Sequence, residues 1–270
     1  MKTALKDKMI VVTGSSRGIG WAIARACAQA GASVMLSSRS GEGVSRCVEE
    51  LRREGLSVKG FAADVSREGD VERLFQKSVE EFGRIDVWVN NAGISGGYRT
   101  LQSMSAAEIK EVIGTNLMGT FLACRLLIPY FLSKGGGTIV NMSGRGGHGN
   151  ASPYQSPYGA SKAAVTSLTR SLAAENKGKP LSINCFFPGM VETEIYKDVQ
   201  TCPETEPKMG IMPVLLRAFA TPMERVKKVA VEMCAVKPGS VTGKCYSAER
   251  PERYLRALMA LPDFIKAARK

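Results

Sequence analysis

Short apolar runs rich in β-branched residues alternate along the chain with longer segments in which apolar positions recur every three or four residues. The runs predict strands at 9–14, 33–39, 57–66, 85–93, 138–144, 181–187 and about 240–246. The recurring segments predict helices at 18–31, 41–54, 67–83, 105–133, 158–176 and 222–236. Strands that are apolar on both faces indicate a parallel sheet covered by helices on each side. We therefore predict a single α/β domain over residues 1–270.

Size and charge exclude several classes of protein. The 270 residues are 44% hydrophobic and 23% charged, which suits one α/β domain with a large core. No apolar run reaches the roughly 18 residues of a membrane span, and residues 1–14 pass directly from a polar lead into a strand. A cytoplasmic location is expected. The net charge is +12, but no basic run or nucleic-acid motif is present, so no nucleic-acid partner is expected.

The seven cysteines have no spacing that would suggest a metal centre or a disulfide framework. No two of them form a CxxC pair, and His148 is the single histidine. We predict small, buried thiols in a reducing compartment and no metal site.

A glycine-rich turn, Thr13-Gly14-Ser15-Ser16-Arg17-Gly18-Ile19-Gly20, joins the first predicted strand to the first predicted helix. Gly14 permits a tight turn, Gly18 allows the backbone to approach a pyrophosphate, and Gly20 allows close packing of the helix on the strand. The helix N-terminus offers N–H donors to a phosphate. This order of elements predicts a Rossmann-type, doubly wound parallel sheet that binds a dinucleotide.

Four motifs in this order resemble the short-chain dehydrogenase/reductase family over about residues 8–246: TGSSRGIG at 13–20, NNAG at 90–93, YGASK at 158–162 and PG at 188–189. The resemblance implies a nicotinamide-dependent oxidoreductase that acts on CH-OH or C=O groups. The cofactor-binding residues that the loop and the resemblance imply are Gly14, Ser16, Arg17, Gly18, Ile19, Gly20, Ser38, Arg39, Asp64, Val65, Asn91, Ala92, Gly93, Tyr158, Lys162, Pro188, Gly189, Val191 and Thr193.

The end of the second strand favours NADP(H) over NAD(H). An acidic residue there would bind the adenosine ribose and repel a 2′-phosphate, but this chain has Ser37-Ser38-Arg39. Arg39 and Arg17 are both expected within reach of a 2′-phosphate, for which guanidinium groups are strong partners. By resemblance, Asp64 would accept a hydrogen bond from the adenine amino group.

Tyr158 and Lys162 form the candidate catalytic pair. Their spacing of four places both side chains on one face of a helix. A free phenol has a pKa of about 10, which a neighbouring ammonium lowers, so that Tyr158 would exchange a proton with the substrate oxygen. The resemblance implies that Lys162 also holds the nicotinamide ribose, and that the backbone of Asn116 supports a water leading to the lysine.

The chain departs from the family pattern after the fifth strand, where a serine usually contacts the substrate oxygen. Alignment places Gly144 at that position and Ser143 one residue earlier, on what a regular strand would make its other face. Either the strand end is reshaped so that Ser143 serves as a catalytic residue, or another donor replaces it. Ser152, Ser156 and His148 lie in the same loop.

The glycine-rich segment 141–153 resembles the matching segment of chlorophyll b reductases, which suggests a large tetrapyrrole carbonyl as substrate. An apolar, Met-rich lid at about 194–221 suits such a bulky ligand. Two alternatives stay open. One is an enzyme for a smaller ketone, sterol or 3-oxoacyl thioester, and the other is an NADP(H)-binding protein that has lost turnover.

Two further surfaces are candidates for assembly. Helices 105–133 and 158–176 carry apolar residues such as Leu117, Phe121, Val165 and Leu168, which favour a homodimer or homotetramer. The tail, residues 248–270, shows a short basic amphipathic pattern. We favour its packing on the protein over contact with an anionic membrane surface.

Overall fold

The computed structural model describes residues 3–194 and 199–249 and contains one seven-stranded sheet whose strands are all parallel. The strands are β1 (Met9–Thr13), β2 (Ser33–Ser38), β3 (Val58–Ala62), β4 (Val87–Asn90), β5 (Gly137–Met142), β6 (Leu181–Phe187) and β7 (Cys245–Ser247). Their order in the sheet is β3-β2-β1-β4-β5-β6-β7. The predicted doubly wound α/β fold is confirmed.

Helices cover both faces of this sheet. They are α1 (Gly18–Gln29), α2 (Gly41–Arg53), α3 (Glu68–Phe82), α4 (Ala106–Ile113), α5 (Gly119–Ser133), α6 (Ser156–Glu175), α7 (Met212–Phe219) and α8 (Met223–Ala235). Alternate residues of β1 face opposite layers. Ile10 and Val12 pack in the core that holds α1, α2 and α8, whereas Met9 and Val11 pack in the core beside α3 and α5.

The chain reverses its direction of winding between β1 and β4, which lie side by side at the centre of the sheet. From β1 the sheet grows outward through β2 and β3, and from β4 it grows the other way to β7. Crevices at the carboxyl ends of strands flanking such a reversal are the usual ligand sites of open α/β sheets.

A single helical rod runs from Ala106 to Ser133 and contains a π-helical segment, Gly114–Met118, between α4 and α5. Ser105 begins it with a capping box shared with Glu108. By length and composition alone the rod could cross a membrane, and 44% of its most apolar window is buried inside the protein. The core helix of a folded domain passes the same test, and α5 packs here on α3 and the sheet.

Three predicted strands are shorter than expected: β4 covers only Val87–Asn90 of the predicted 85–93, and turns shorten two others. β3 ends at Ala62, and Asp64 then accepts hydrogen bonds from both the backbone N–H and the hydroxyl of Ser66, which turns the chain. The last strand begins only at Cys245, since Gly239 and Gly243 adopt positive φ angles. Most of the predicted tail, residues 250–270, and residues 195–198 of the predicted lid lie outside the described residues.

A chain of buried hydrogen bonds joins the centre of the sheet to α6. Trp88 Nε1 donates to Asn90 Oδ1 at 2.8 Å, and Asn90 Nδ2 donates to Asn141 Oδ1 at 2.9 Å. Asn141 Nδ2 in turn donates to Thr169 Oγ1 at 3.0 Å. Because unpaired polar groups are costly in a core, this network fixes α6 on β4 and β5.

Candidate active site

A cleft of about 1510 Å³ opens along the carboxyl ends of the strands. All nineteen residues predicted to bind the cofactor line it, from Gly14 to Thr193, although they come from six separate stretches of the chain. The structure therefore brings these residues together. Of the predicted catalytic residues, Tyr158, Lys162 and Ser143 border the cleft and Asn116 lies beneath it.

The glycine turn is held in shape by the segment that follows β4. Gly14 has a φ of 64°, and a Cβ there would lie 2.7 Å from Ala92 Cα, so only glycine fits. Asn91 Nδ2 donates to the carbonyl oxygens of Thr13 and Gly14 at 2.9 and 3.1 Å. Helix α1 starts directly beside this junction.

The N-terminus of α1 suits a diphosphate. Its N-cap residue, Arg17, makes no side-chain cap, and its first turn contains no acidic residue. The N–H groups of the first turn thus receive no cap from Arg17, and the helix dipole favours an anion there. These features fit a nicotinamide dinucleotide.

Three basic residues are among those that line the cleft. Arg17, Arg39 and Arg46 all line it, and Arg46 projects from the second turn of α2. Arg39 Nη1 lies 3.0 Å from Oε1 of Glu111, a residue of α4, and both side chains are 54% exposed. Sequence reasoning identified Arg17 and Arg39 but neither Arg46 nor Glu111.

Asp64 is held as a carboxylate in the same region. Burial works to raise its pKa, but hydrogen bonds from Ser66 and the charges of Arg39 and Arg67 outweigh burial, and the pKa is lowered. An ionised Asp64 can accept hydrogen bonds from a ligand amino group.

Tyr158 and Lys162 lie on one face of α6, with Lys162 Nζ 5.7 Å from the centre of the Tyr158 ring. The ammonium group donates to the carbonyl oxygen of Met142 at 2.9 Å, and the side chain is almost fully buried. Burial lowers the pKa of Lys162 to about 8. The amine is therefore charged at neutral pH, but close to the point at which it loses its proton.

Asn116 lies in the π-helical segment and joins three parts of the site. Its Oδ1 accepts from the Ile94 N–H at 2.8 Å, while Nδ2 donates to the Ile94 carbonyl and to Ser161 Oγ, both at 3.0 Å. Ser161 Oγ donates in turn to the Tyr158 carbonyl at 2.7 Å. The side chain thus positions the loop after β4 against α6, while the role expected of its backbone stays a prediction.

The expectation that Ser143 contacts the substrate is corrected by its surroundings. Its side chain is buried, and its Oγ lies 3.2 Å from the Lys162 carbonyl and 2.9 Å from Thr166 Oγ1. A Cβ on Gly144 would lie 2.5 Å from the Tyr158 hydroxyl oxygen. β5 has ended at Met142, so that Ser143 Oγ bonds within α6 and the position beside the Tyr158 hydroxyl has no side chain.

The loop after Gly144 borders the substrate side of the cleft. The His148 ring stacks on Phe187 with ring centres 4.0 Å apart and an interplanar angle of 8°. Ser152 and Ser156 do not line the cleft, whereas His148 and Arg145 do. His148 is thus the member of the predicted set of substitute donors that the structure places at the cleft.

The lid is anchored at Tyr98 and Tyr154. Tyr98 N–H donates to the Gln200 carbonyl at 2.8 Å, and Thr205 Oγ1 donates to the Tyr98 carbonyl at 2.6 Å. The Tyr154 ring lies 5.1 Å from that of Tyr98, and Lys208 Nζ stands 4.0 Å above its centre. Tyr154 has a φ of 65°, which is strained for a non-glycine residue. Tyr98 also lines the cleft, so its hydrogen bonds to Gln200 and Thr205 attach the lid to the wall of the cleft.

Comparison with known proteins finds dehydrogenases and reductases. Residues 8–203 match the family model described as short chain dehydrogenase. The chain is 33% identical over 263 residues to chlorophyll(ide) b reductase NOL of Arabidopsis thaliana, covering 95% of this chain and 72% of that protein. It is 33% identical over 261 residues to L-fucose dehydrogenase of Oryctolagus cuniculus, covering 93% and 89%.

A solved structure supports the same grouping. A putative short-chain alcohol dehydrogenase from Sinorhizobium meliloti superposes with a TM-score of 0.78 at 28% identity, covering 92% of this chain and 97% of that one.

Proposed function

Because this chain belongs to the short-chain dehydrogenase/reductase family, whose members oxidise CH-OH or reduce C=O groups with NAD or NADP, we propose that it is an NADPH-dependent reductase of a bulky, apolar carbonyl compound. The formyl group of chlorophyll b or a related tetrapyrrole is the leading candidate substrate.

The basic side chains of the cleft carry the proposal for NADPH. β2 ends in Ser37-Ser38 with no carboxylate, Arg39 directly follows it, and Arg17 and Arg46 also line the cleft. The negative charge of a 2′-phosphate would complement these cations. Arginine binds phosphate with paired, charge-assisted hydrogen bonds.

The proposed chemistry places the proton transfer on Tyr158. The bound cofactor would supply the hydride to the carbonyl carbon. Tyr158 Oη would donate its proton to the carbonyl oxygen, and the Lys162 ammonium would favour the phenolate that remains. The Met142 carbonyl, which accepts from Lys162 Nζ at 2.9 Å, holds that charge in place before substrate binds.

The substrate wall carries the proposal for a bulky apolar ligand. Its members are mostly apolar side chains from the loop after β4, the loop after β6 and the lid: Ile94, Tyr98, Met190, Met212, Leu215 and Phe219. Flexible methionines and aromatic rings suit a large ligand with few polar groups. The similarity to chlorophyll(ide) b reductase NOL supports the tetrapyrrole candidate.

One assay separates this proposal from its alternatives. Purified protein is supplied with NADPH or NADH and a carbonyl panel that contains formyl tetrapyrroles, a steroid ketone, a small ketone and a 3-oxoacyl thioester, with L-fucose and NADP⁺ as the oxidative arm. We expect NADPH consumption to be fastest with a formyl tetrapyrrole. Preference for a small substrate refutes the bulky-substrate assignment, and NADPH binding without turnover of any compound identifies a binding protein.

A further inference from the structure

The ion pair between Arg39 and Glu111 lies across the adenosine end of the cleft. Arg39 directly follows β2, whereas Glu111 belongs to α4, 72 positions later in the chain. Both side chains line the cleft together with Asp64 and Val65, and their atoms Nη1 and Oε1 are 3.0 Å apart. The pair therefore joins the two walls between which the adenosine of a dinucleotide would lie.

Arg39 is the guanidinium that the proposed cofactor most needs, since this residue directly follows β2. Glu111 already uses one of its donors. A 2′-phosphate placed beside Arg39 would also lie close to the Glu111 carboxylate, and like charges a few ångströms apart repel. Binding must therefore either break the ion pair or proceed beside an unfavourable charge.

The balance of these interactions differs between the two cofactors. NADH has a ribose hydroxyl at this position, which neither competes for a guanidinium nor repels a carboxylate strongly. NADPH has a phosphate, which does both. A carboxylate at position 111 accordingly disfavours the binding of NADPH and has little effect on the binding of NADH.

We propose that Glu111 is a specificity-determining residue that competes with the 2′-phosphate of NADPH for Arg39 and so limits the affinity for NADPH. This inference rests on the proposed preference for NADPH. It assigns to α4 a role in cofactor selection that no motif in its sequence signals.

The test is a binding titration without substrate, in which the fluorescence of the reduced nicotinamide or calorimetry reports the Kd of NADPH and of NADH. Glu111→Gln removes the charge and keeps the shape of the side chain. We expect it to tighten NADPH binding roughly two- to fivefold, the size of an exposed ion pair, and to leave the NADH Kd unchanged. In an Arg39→Met background the same substitution should have less effect, because the two residues act together.

The matched control is Glu54→Gln, which breaks the ion pair with Arg25 at 2.8 Å outside the cleft and changes the net charge equally. It should change neither Kd. Weaker NADPH binding in Glu111→Gln would show instead that Glu111 positions Arg39 for the phosphate and would overturn the proposal. So would an unchanged NADPH Kd, or an equal change for NADH. A wild-type protein that binds NADH as tightly as NADPH refutes the cofactor assignment itself.

Discussion

Gly144 offers a direct test of the geometry around Tyr158. Its φ is not in the left-handed region, so alanine is sterically acceptable to the backbone, and the only obstacle is the new methyl group. That Cβ would lie 2.5 Å from the Tyr158 hydroxyl oxygen. Ordinary non-bonded contact requires about 3.5 Å, so the hydroxyl must retreat by roughly 1 Å.

A displacement of this size at a proton donor has a large expected effect. Misplacing a reacting group by about 1 Å costs on the order of 10²-fold in rate, or about 2.7 kcal/mol of transition-state stabilisation. We therefore expect Gly144→Ala to lower kcat for carbonyl reduction about a hundredfold. The Kd of NADPH should stay within about twofold, because the methyl group points at Tyr158 and not at the phosphate-binding loop.

Steady-state kinetics with the best substrate of the carbonyl panel measure the effect, with Gly69→Ala as the matched control. Gly69 lies in α3, outside the cleft, and its Cβ would meet only Nη1 of Arg73 at 3.4 Å. The control should keep wild-type turnover. If Gly144→Ala retains kcat within about twofold, Tyr158 either moves freely or is not the proton donor, and the reasoning is wrong.

Three further outcomes are expected. Tyr158→Phe should lower turnover by about two to four decades while NADPH still binds, because it removes only the proton donor; retention of more than about a tenth of the activity would contradict the assignment. Lys162→Met should be more stable than wild type at pH 7, because burial lowers the pKa of Lys162 to about 8 from about 10.4 in the unfolded chain, and folding at pH 7 must bury an amine that is still charged. Between these two pKa values only the unfolded state holds the proton. Wild-type stability therefore rises with pH between about 8 and 10.4, and chemical denaturation at several pH values should show the advantage of Lys162→Met shrinking over that window; a pH-independent difference would exclude a buried, partly deprotonated amine. Phe121→Glu should convert a homo-oligomer to monomer in light scattering, since Phe121, Met118 and Leu101 are 43%, 46% and 51% exposed; wild type that is already monomeric would remove the assembly prediction.

The sheet and the phosphate-binding loop could be predicted because their signals are local. Runs such as 9–14 are apolar over a short length and end at glycine, and the backbone demands at Gly14 and Gly20 follow from the turn that joins a strand to a helix. Tyr158 and Lys162 could be paired for the same reason, since four positions on a helix bring side chains to one face.

The predictions that failed depended on which neighbouring element each side chain contacts. Ser143 is predicted as a catalytic donor, but its hydroxyl bonds to Thr166 and the Lys162 carbonyl in α6, and no spacing rule says how a chain continues after a strand ends. Val165 was assigned to an assembly surface, yet it is fully buried, because α6 has apolar residues toward the sheet as well as outward. The pairing of Arg39 with Glu111 could not be foreseen, since it depends on where two distant elements meet in space.

The π-helical segment at Gly114–Met118 separates α4, which carries Glu111, from α5, which carries Phe121. Before the segment, Glu111 points into the cleft, and after it, Phe121 is exposed to solvent. A residue in an α-helix accounts for about 100° of rotation, so loss of one residue from the wider turn would re-aim everything from Ala106 to Ile113 while α5 kept its packing on the sheet. A single-residue change in length at this joint would therefore move Glu111 relative to Arg39, while Phe121 kept its place on α5.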